Sequence, residues 1–317
     1  MNNTKKHKIV CVVPVYNDWQ SFAVLAEHIF LLQQQYQDSY LFKIIAINDG
    51  SNEVFNQEQI SKTIDISYEI VDLKVNVGHQ RAIAVGLQYV YHEEAYDFVV
   101  VMDSDGEDIP EHIPLLVQKA LKESNSKIIF AQRNKRQESL FFKTGYFFYR
   151  HIFRFLTGQK INFGNYSCIP EVLMEKIVHQ NNIWNHYSGG IIQSKIPFEK
   201  ILLDRGKRYA GVSKMNFTGL VLHGLSSIAV YFDYLSVRIL KISLYGIVIC
   251  LISVLYILYQ KLFTDNAIPG WASSLILILS GIVVQLFSMT LIVSLLQLSS
   301  KKNIIAPNSK IYKDFIK

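Results

Sequence analysis

The chain has 317 residues, half of them hydrophobic, with 32 Lys and Arg against 26 Asp and Glu. That length admits one or two domains plus a membrane segment, and the net charge of +6 suits a protein resting on anionic lipid. Nucleic acid is the rival partner for such a charge, but no nucleic-acid-binding motif accompanies it and none is expected to bind.

Taken from the amino end, the first eight residues run straight into a strand and lack the apolar core of a signal peptide. Residues 8–15 (KIVCVVPV) predict that strand, followed by a polar turn and a helix to about Tyr36. Residues 41–47 predict a second strand ending in Asn48 and Asp49, and residues 66–73 a third, after which Asn76 and Gly78 open a helical pattern over 81–92. Residues 98–102 predict a fourth strand, with a helix starting near Pro110, a good first-turn residue, and residues 127–131 a fifth. Strands alternating with helices imply βαβ units and a parallel sheet flanked by helices. Polar clusters fall at the carboxyl end of each predicted strand: Tyr16-Asn17-Asp18, Asn48-Asp49, Asn76 to Gly78, Asp103 to Asp105, and Gln132-Arg133. Ligands of such sheets bind outside that edge, so five clusters there describe a site.

Residues 97–108 (DFVVVMDSDGED) carry the sharpest signal. A buried-strand pattern ends in acids spaced one apart, and such carboxylates are hard oxygen ligands suited to Mg²⁺ or Mn²⁺ bridging phosphates. An acidic turn after a strand reads equally well from these residues taken alone. The cysteines Cys11, Cys168 and Cys250 fall in a strand, a polar segment and an apolar stretch; without metal spacing or disulfide context they read as structural.

Beyond Arg136 the pattern turns aromatic and basic (FFKTGYFFYR, 141–150), which suits a membrane-surface helix or a buried one. Residues 180–190, with Trp184 and His186, are polar enough to form a lid. Arg205, Lys207, Arg208 and Lys214 cluster next, fitting either a phosphate clamp or a stretch that attracts anionic lipid. Residues 242–259 and 271–300 contain no charged residue, and each is long enough to span a membrane. Lys and Arg flank the pair, with five lysines after residue 300, so the positive-inside rule puts the globular part and the tail in the cytoplasm of a multi-pass inner-membrane protein. The expected organisation is a globular domain over 1–214 and a juxtamembrane amphipathic segment over 215–241. Two spans over about 242–259 and 271–298 follow, then a cytoplasmic tail over 301–317. Gly246 and Gly281 would let spans pair closely, which leaves room for a homo-oligomer.

Neither GxGxxG nor GxxxxGK[ST] occurs, which argues against the usual phosphate-cradling loops. Instead VPVYND (13–18), NDGS (48–51), NVG (76–78) and MDSD (102–105), in this order and spacing, closely resemble family 2 glycosyltransferases of the GT-A fold. Among these the chain looks most like the polyprenyl-phosphate glycosyltransferases, relatives of dolichyl-phosphate mannose synthase. The resemblance covers residues 9–214 and implies an α/β nucleotide-sugar-binding domain with a mainly parallel sheet, here followed by a transmembrane hairpin. It implies that Pro14, Tyr16 and Asp18 cradle the nucleoside, that Asp49 bonds the base, and that Asn76 and Gly78 line the donor site. It further implies that Asp103 and Asp105 hold Mg²⁺ or Mn²⁺, with Glu107 where relatives place a metal-contacting Gln, and that Arg133 lies near the donor phosphates. RYAGVSK (208–214) is similar to the family's Arg-x-x-Gly-x-Ser-Lys motif, making Arg208, Ser213 and Lys214 a clamp for donor and acceptor phosphates.

The implied reaction moves a sugar from a nucleotide sugar, uridine-linked first of all, to a lipid phosphate, with inversion. An ionised phosphate is already a nucleophile, so no general base is required. Transfer to a glycan or glycolipid hydroxyl, with Asp108 or Glu107 as base, and a non-catalytic membrane adaptor are the alternatives. The chain departs from the family pattern at Asn48, at Glu107, and at NFGNYS (162–167), where relatives carry Asp-x-Gly-x-Phe-Arg.

Overall fold

Strand β1 (His7–Val15) is buried from Ile9 to its end, on both faces. Ile9, Cys11, Val13 and Val15 join one apolar cluster, while Val10 and Val12 join the other. A strand alternates its side chains between faces, so an unbroken apolar run belongs at the centre of a sheet covered on both sides. The computed structural model describes residues 6–57, 60, 64–133, 163–210, 231–264, 270–302 and 307–317.

The seven strands lie in the order β3-β2-β1-β4-β6-β5-β7, with β2 Tyr40–Asn48, β3 Ser67–Asp72, β4 Phe98–Val101, β5 Ile128–Arg133, β6 Ser167–Pro170 and β7 Phe198–Leu203. β1 pairs in parallel with β2 and β4, β2 with β3, and β5 with β7. Only β6 runs antiparallel, between β4 and β5. Because β6 reverses direction against both neighbours, β5 points the same way as β4, and the carboxyl ends of β1 to β5 share one edge.

Helices α1 (Trp19–Gln35) and α3 (Ile113–Lys122) cover one face of the sheet; α2 (His79–Glu93), α4 (Glu171–Val178) and α5 (Tyr187–Ser194) cover the other. Gly86 brings α2 down onto the strands: a Cβ there would lie 2.5 Å from Val12 Cγ1. The five expected strands are present within a residue or two of their limits. β6 and β7 were not expected, and Cys168 sits fully buried in β6 rather than in a polar segment. Four residues ending in proline (SCIP) offer no alternation from which a strand could be read. Nor is the stretch 180–190 a loose lid. It forms a short 3₁₀ turn (Asn181–Trp184) leading into α5, with Ile183 and Tyr187 fully buried and His186 capping the helix through Gly189 N–H at 3.1 Å.

These elements belong to a first unit made of Met1–Thr144, Ile161–Val230 and Pro307–Lys317; the second holds Gly145–Lys160 and Tyr231–Ala306. Within the second, α6 (Phe232–Phe263) and α7 (Trp271–Lys302) pack side by side, close enough that a Cβ on Gly246 would lie 2.9 Å from Leu286. Both helices are long and apolar enough to cross a membrane, and only 17% and 0% of their most apolar windows are buried. Core helices of a soluble domain bury such surface, so these two suggest membrane anchoring. Residues 232–241, the end of the expected juxtamembrane segment, form the first turns of α6, and no Gly or Pro interrupts residues 232–245. The last residues, expected only as a tail, fold back: Tyr312, in the final turn α8 (Tyr312–Phe315), is 2% exposed and packs in the cluster against α2.

Candidate active site

The shared strand edge is knitted together by its polar side chains. Asn17, in the turn after β1, accepts from the N–H groups of Asn52 and Glu53 at 2.8 and 3.2 Å, while its own N–H donates to Ser51 Oγ. Asp18 begins α1 and accepts from Ser21 Oγ at 2.7 Å. Pro14 is buried within β1 and Tyr16 is exposed. Asp49, 3% exposed, accepts from Val77 N–H at 2.7 Å and Gly78 N–H at 3.0 Å, and Asn76 Nδ2 donates to its carbonyl. Burial pushes the Asp49 carboxyl above the ordinary range, although these two N–H groups and His79 pull it down. Gly50 is required where the loops after β2 and β3 meet: its φ is +67°, and a Cβ would lie 2.6 Å from Asn76 N. Asp49 thus organises the Asn76–Gly78 loop.

The loop after β4 is built on its own acids. Asp108 Oδ2 accepts from Asp103 N–H at 3.0 Å, and Asp105 Oδ1 from Glu107 N–H at 2.9 Å. A second loop, after β7, is clasped to it through main-chain bonds: Gly206 N–H to Glu107 O at 2.9 Å and Tyr209 N–H to Asp105 O at 2.8 Å. The Tyr209 ring lies over Gly106 and stacks on His28. This docking delivers Arg208 to Asp105 Oδ2 at 2.6 Å and Arg205 to Glu107. His79, first residue of α2, has its Nε2 3.3 Å from Asp103 Oδ1 and 3.0 Å from Asn165 Nδ2.

Asp105 and Glu107 therefore each pair with an arginine while Asp103 lies beside His79, and among the described residues no three His, Cys, Asp or Glu side chains gather as a metal-ligand group. The expected trio of Asp103, Asp105 and Glu107 is not assembled as a ligand group here, and Glu107 pairs with Arg205 instead. Asp103 and Asp105 still fit a divalent cation. Asp103 Oδ1 is buried without a hydrogen-bond donor. Burial first, then the charge of Asp103, pushes the Asp105 carboxyl up; Arg208 and Arg205 oppose this, and Asp18 adds to it. Two carboxylates, one with an oxygen that no donor satisfies, are hard ligands that suit Mg²⁺ or Mn²⁺.

Arg133 ends β5 on the same edge, with its side chain outside the described residues; so are Ser213, Lys214 and the aromatic stretch 141–150. The pairing of Arg205 with Glu107, and the roles of Gly206 and Tyr209 in the clasp, were not legible in the sequence beyond the basic cluster itself. His79 was visible only as a polar residue opening a helix.

Residues 10–174 match the family model described as glycosyl transferase family 2. The chain belongs to that family. It is 28% identical over 291 residues to a Bacillus subtilis (strain 168) protein named uncharacterized glycosyltransferase YkcC, covering 86% of this chain and 84% of that one. It is 28% identical over 176 residues to the undecaprenyl-phosphate 4-deoxy-4-formamido-L-arabinose transferase of Proteus mirabilis (strain HI4320), covering 55% of this chain and 51% of the transferase. The chain thus spans about half the length of that second relative. Among solved structures, glucosyl-3-phosphoglycerate synthase from Mycobacterium tuberculosis, in complex with Mn²⁺, UDP-glucose and phosphoglyceric acid, superposes with a TM-score of 0.50 at 14% identity, over 72% of this chain and 80% of that one. Mannosyl-3-phosphoglycerate synthase from Rubrobacter xylanophilus gives 0.51 at 12% identity, over 71% and 72%. The α/β fold of this glycosyltransferase is accordingly the GT-A fold, with two apolar helices appended.

Proposed function

We propose that this glycosyltransferase moves a sugar from a uridine-linked nucleotide sugar to a polyprenyl phosphate at the cytoplasmic face of a membrane. The observation that carries the reading is the clasp of Arg208 onto Asp105, which joins an acidic donor edge to a basic loop, in a chain that continues into two apolar helices. The undecaprenyl-phosphate transferases among its relatives support the acceptor, and the neighbour solved with Mn²⁺ and UDP-glucose supports the donor. Flanking lysines favour a cytoplasmic catalytic unit, and the packing of Tyr312 against α2 fits a tail that returns to the same side.

Asp103 and Asp105 would hold Mg²⁺ or Mn²⁺, with Glu107 within reach once it leaves Arg205; the cation would neutralise charge on the departing diphosphate. Pro14, Tyr16, Asp18 and the Asp49-organised loop with Asn76 and Gly78 would seat the nucleoside. Arg133, Arg208, Ser213 and Lys214 would gather the phosphates, the guanidinium fork matching phosphate oxygens. A phosphate oxygen of the lipid attacks the anomeric carbon as the bond to the diphosphate oxygen breaks, the leaving pair staying on the nucleoside diphosphate and the anomeric centre inverting. Positioning and charge neutralisation carry the catalysis, and no base is needed. This fits the structural use of Asp108, a residue 7% exposed whose carboxylate accepts from the Asp103 backbone N–H, and so ill placed to act as a base toward a hydroxyl acceptor.

The test is transfer of radiolabel from a panel of UDP-sugars to undecaprenyl phosphate in lipid vesicles with Mn²⁺. Asp105→Ala should lower turnover by about 10²–10³-fold or more with the fold retained by circular dichroism. Full turnover in that variant, or in excess chelator, would remove the metal from the reading.

A further inference from the structure

The buried amide of Gln88 is the most informative polar group outside the active edge. It lies in mid-α2, 0% exposed, among the buried Ala84, Val85, Leu87 and Val90 of the same helix. Its Nε2 donates to Val178 O and to Asn308 O, both at 2.9 Å, and its Oε1 accepts from Tyr312 N–H at 3.1 Å. Two of these three bonds go to the backbone of residues at the carboxyl end of the chain. A buried amide left without partners is costly, so a glutamine here fits only if that segment is seated. Tyr312 fills the same groove, stacked with His92 and bonded to Glu93 at 2.5 Å. Beyond it the chain pairs with the free edge of the sheet, just past β3. Ile316 forms an antiparallel bridge with Leu73, Lys74 N–H donates to Phe315 O at 2.8 Å, and Lys317 N–H donates to Asp72 O at 3.0 Å.

We propose that the groove between α2 and the end of β3 is a binding site for the chain's own carboxyl-terminal segment, Pro307–Lys317, and that seating this segment positions the donor loop. The mode is strand addition to an open sheet edge, with Tyr312 as side-chain anchor. The link to the active edge is short: Lys74, held by the segment through both its N–H and its Nζ (to Asp314 O at 3.0 Å), lies two residues before Asn76. Asn76, Val77 and Gly78 are the residues gathered on Asp49. The segment therefore fixes the entry to the Asp49 loop, while Asp49 fixes its exit. The assignment of that loop to the donor rests on the function proposed above; the seating of the segment does not.

Hydrogen exchange on the full-length protein, in detergent or vesicles, separates the two. Tyr312→Ala should release the segment, read as faster tryptic cleavage at Lys310 and Lys313. It should also speed exchange of the Val77 and Gly78 amides by about tenfold or more, while the Cys11 and Val13 amides of β1 keep their protection. Tyr312→Phe, which keeps the ring, should restore both. Binding of UDP with Mn²⁺ should weaken by about fivefold or more in Tyr312→Ala. A released segment with unchanged Val77 and Gly78 exchange would overturn the proposal. If Tyr312→Ala also loses β1 protection, Lys317→Pro, which removes the bond to Asp72 and leaves Tyr312 in place, gives the same reading with a milder lesion. Failure of the unaltered protein to bind UDP would sink the donor reading and leave the exchange result standing.

Discussion

Gly206 has no side chain, and the carbonyl oxygen of Gly106 lies where one would begin: a Cβ at 206 would stand 2.0 Å from it. The contact is backbone against backbone, so it cannot be relieved by a rotamer change. Gly206→Ala should part the two loops at a cost of about 1–3 kcal/mol and shift Arg205 and Arg208 away from their carboxylates. Transfer should fall by about 10–100-fold, measured as kcat/KM, with a smaller effect on the thermal midpoint; retained activity would mean the clasp is not needed. Where the usual pattern of the family has two acids before Gly-Ser, Asn48 stands first and both accepts from Ser51 N–H and donates through Nδ2 to Asp72 Oδ1 at 2.6 Å. A carboxylate at 48 has no proton to donate and would face Asp72 with like charge. The departure is visible in the sequence, but its reason lies in a strand 24 residues away.

Among the elements, α3, the turn after it and β7 are joined by alternating charges. Lys119 and Lys127 each contact both Glu123 and Glu199 at 2.7 to 3.1 Å. Hydrogen bonds from Lys127 and then Lys119 hold the Glu123 carboxyl down at about 2. A carboxyl lowered by folding contributes stability above its ordinary range and loses it as pH falls toward that lowered value. Thermal midpoints of the wild type and Glu123→Gln should therefore differ near neutral pH and converge between about pH 5 and about pH 2. Added salt should shrink the gap because all four groups are partly exposed. A gap that persists at low pH would mean that packing, not charge, sets it. β7 is also the element the sequence hid. Its FEKILL mixes acid, base and apolar residues because the strand lies at the sheet edge beside β5.

At the scale of the whole molecule, the proposed topology puts the Gln260 to Gly270 connection on the far side of the membrane. A membrane-impermeant maleimide applied to intact cells should label Ala267→Cys and spare Lys313→Cys. Inside-out vesicles should reverse that pattern, and labelling of both from one side would refute the hairpin. The native thiols do not interfere, since Cys11, Cys168 and Cys250 are buried. The order of the first five strands with the helices between them, the acids at the end of β4 and the two apolar helices were all legible in the residues alone. Each rests on local chemistry: a period of two or 3.6, a charge at a strand end, or a run long enough to span lipid. The antiparallel β6, the docking of Arg208 on Asp105 (103 residues apart in the chain) and the seating of Tyr312 against Gln88, 224 apart, depend on which distant segments the fold brings into contact. Those pairings are settled by packing and by the cost of burying an unpartnered polar group, and neither leaves a periodic trace in the sequence.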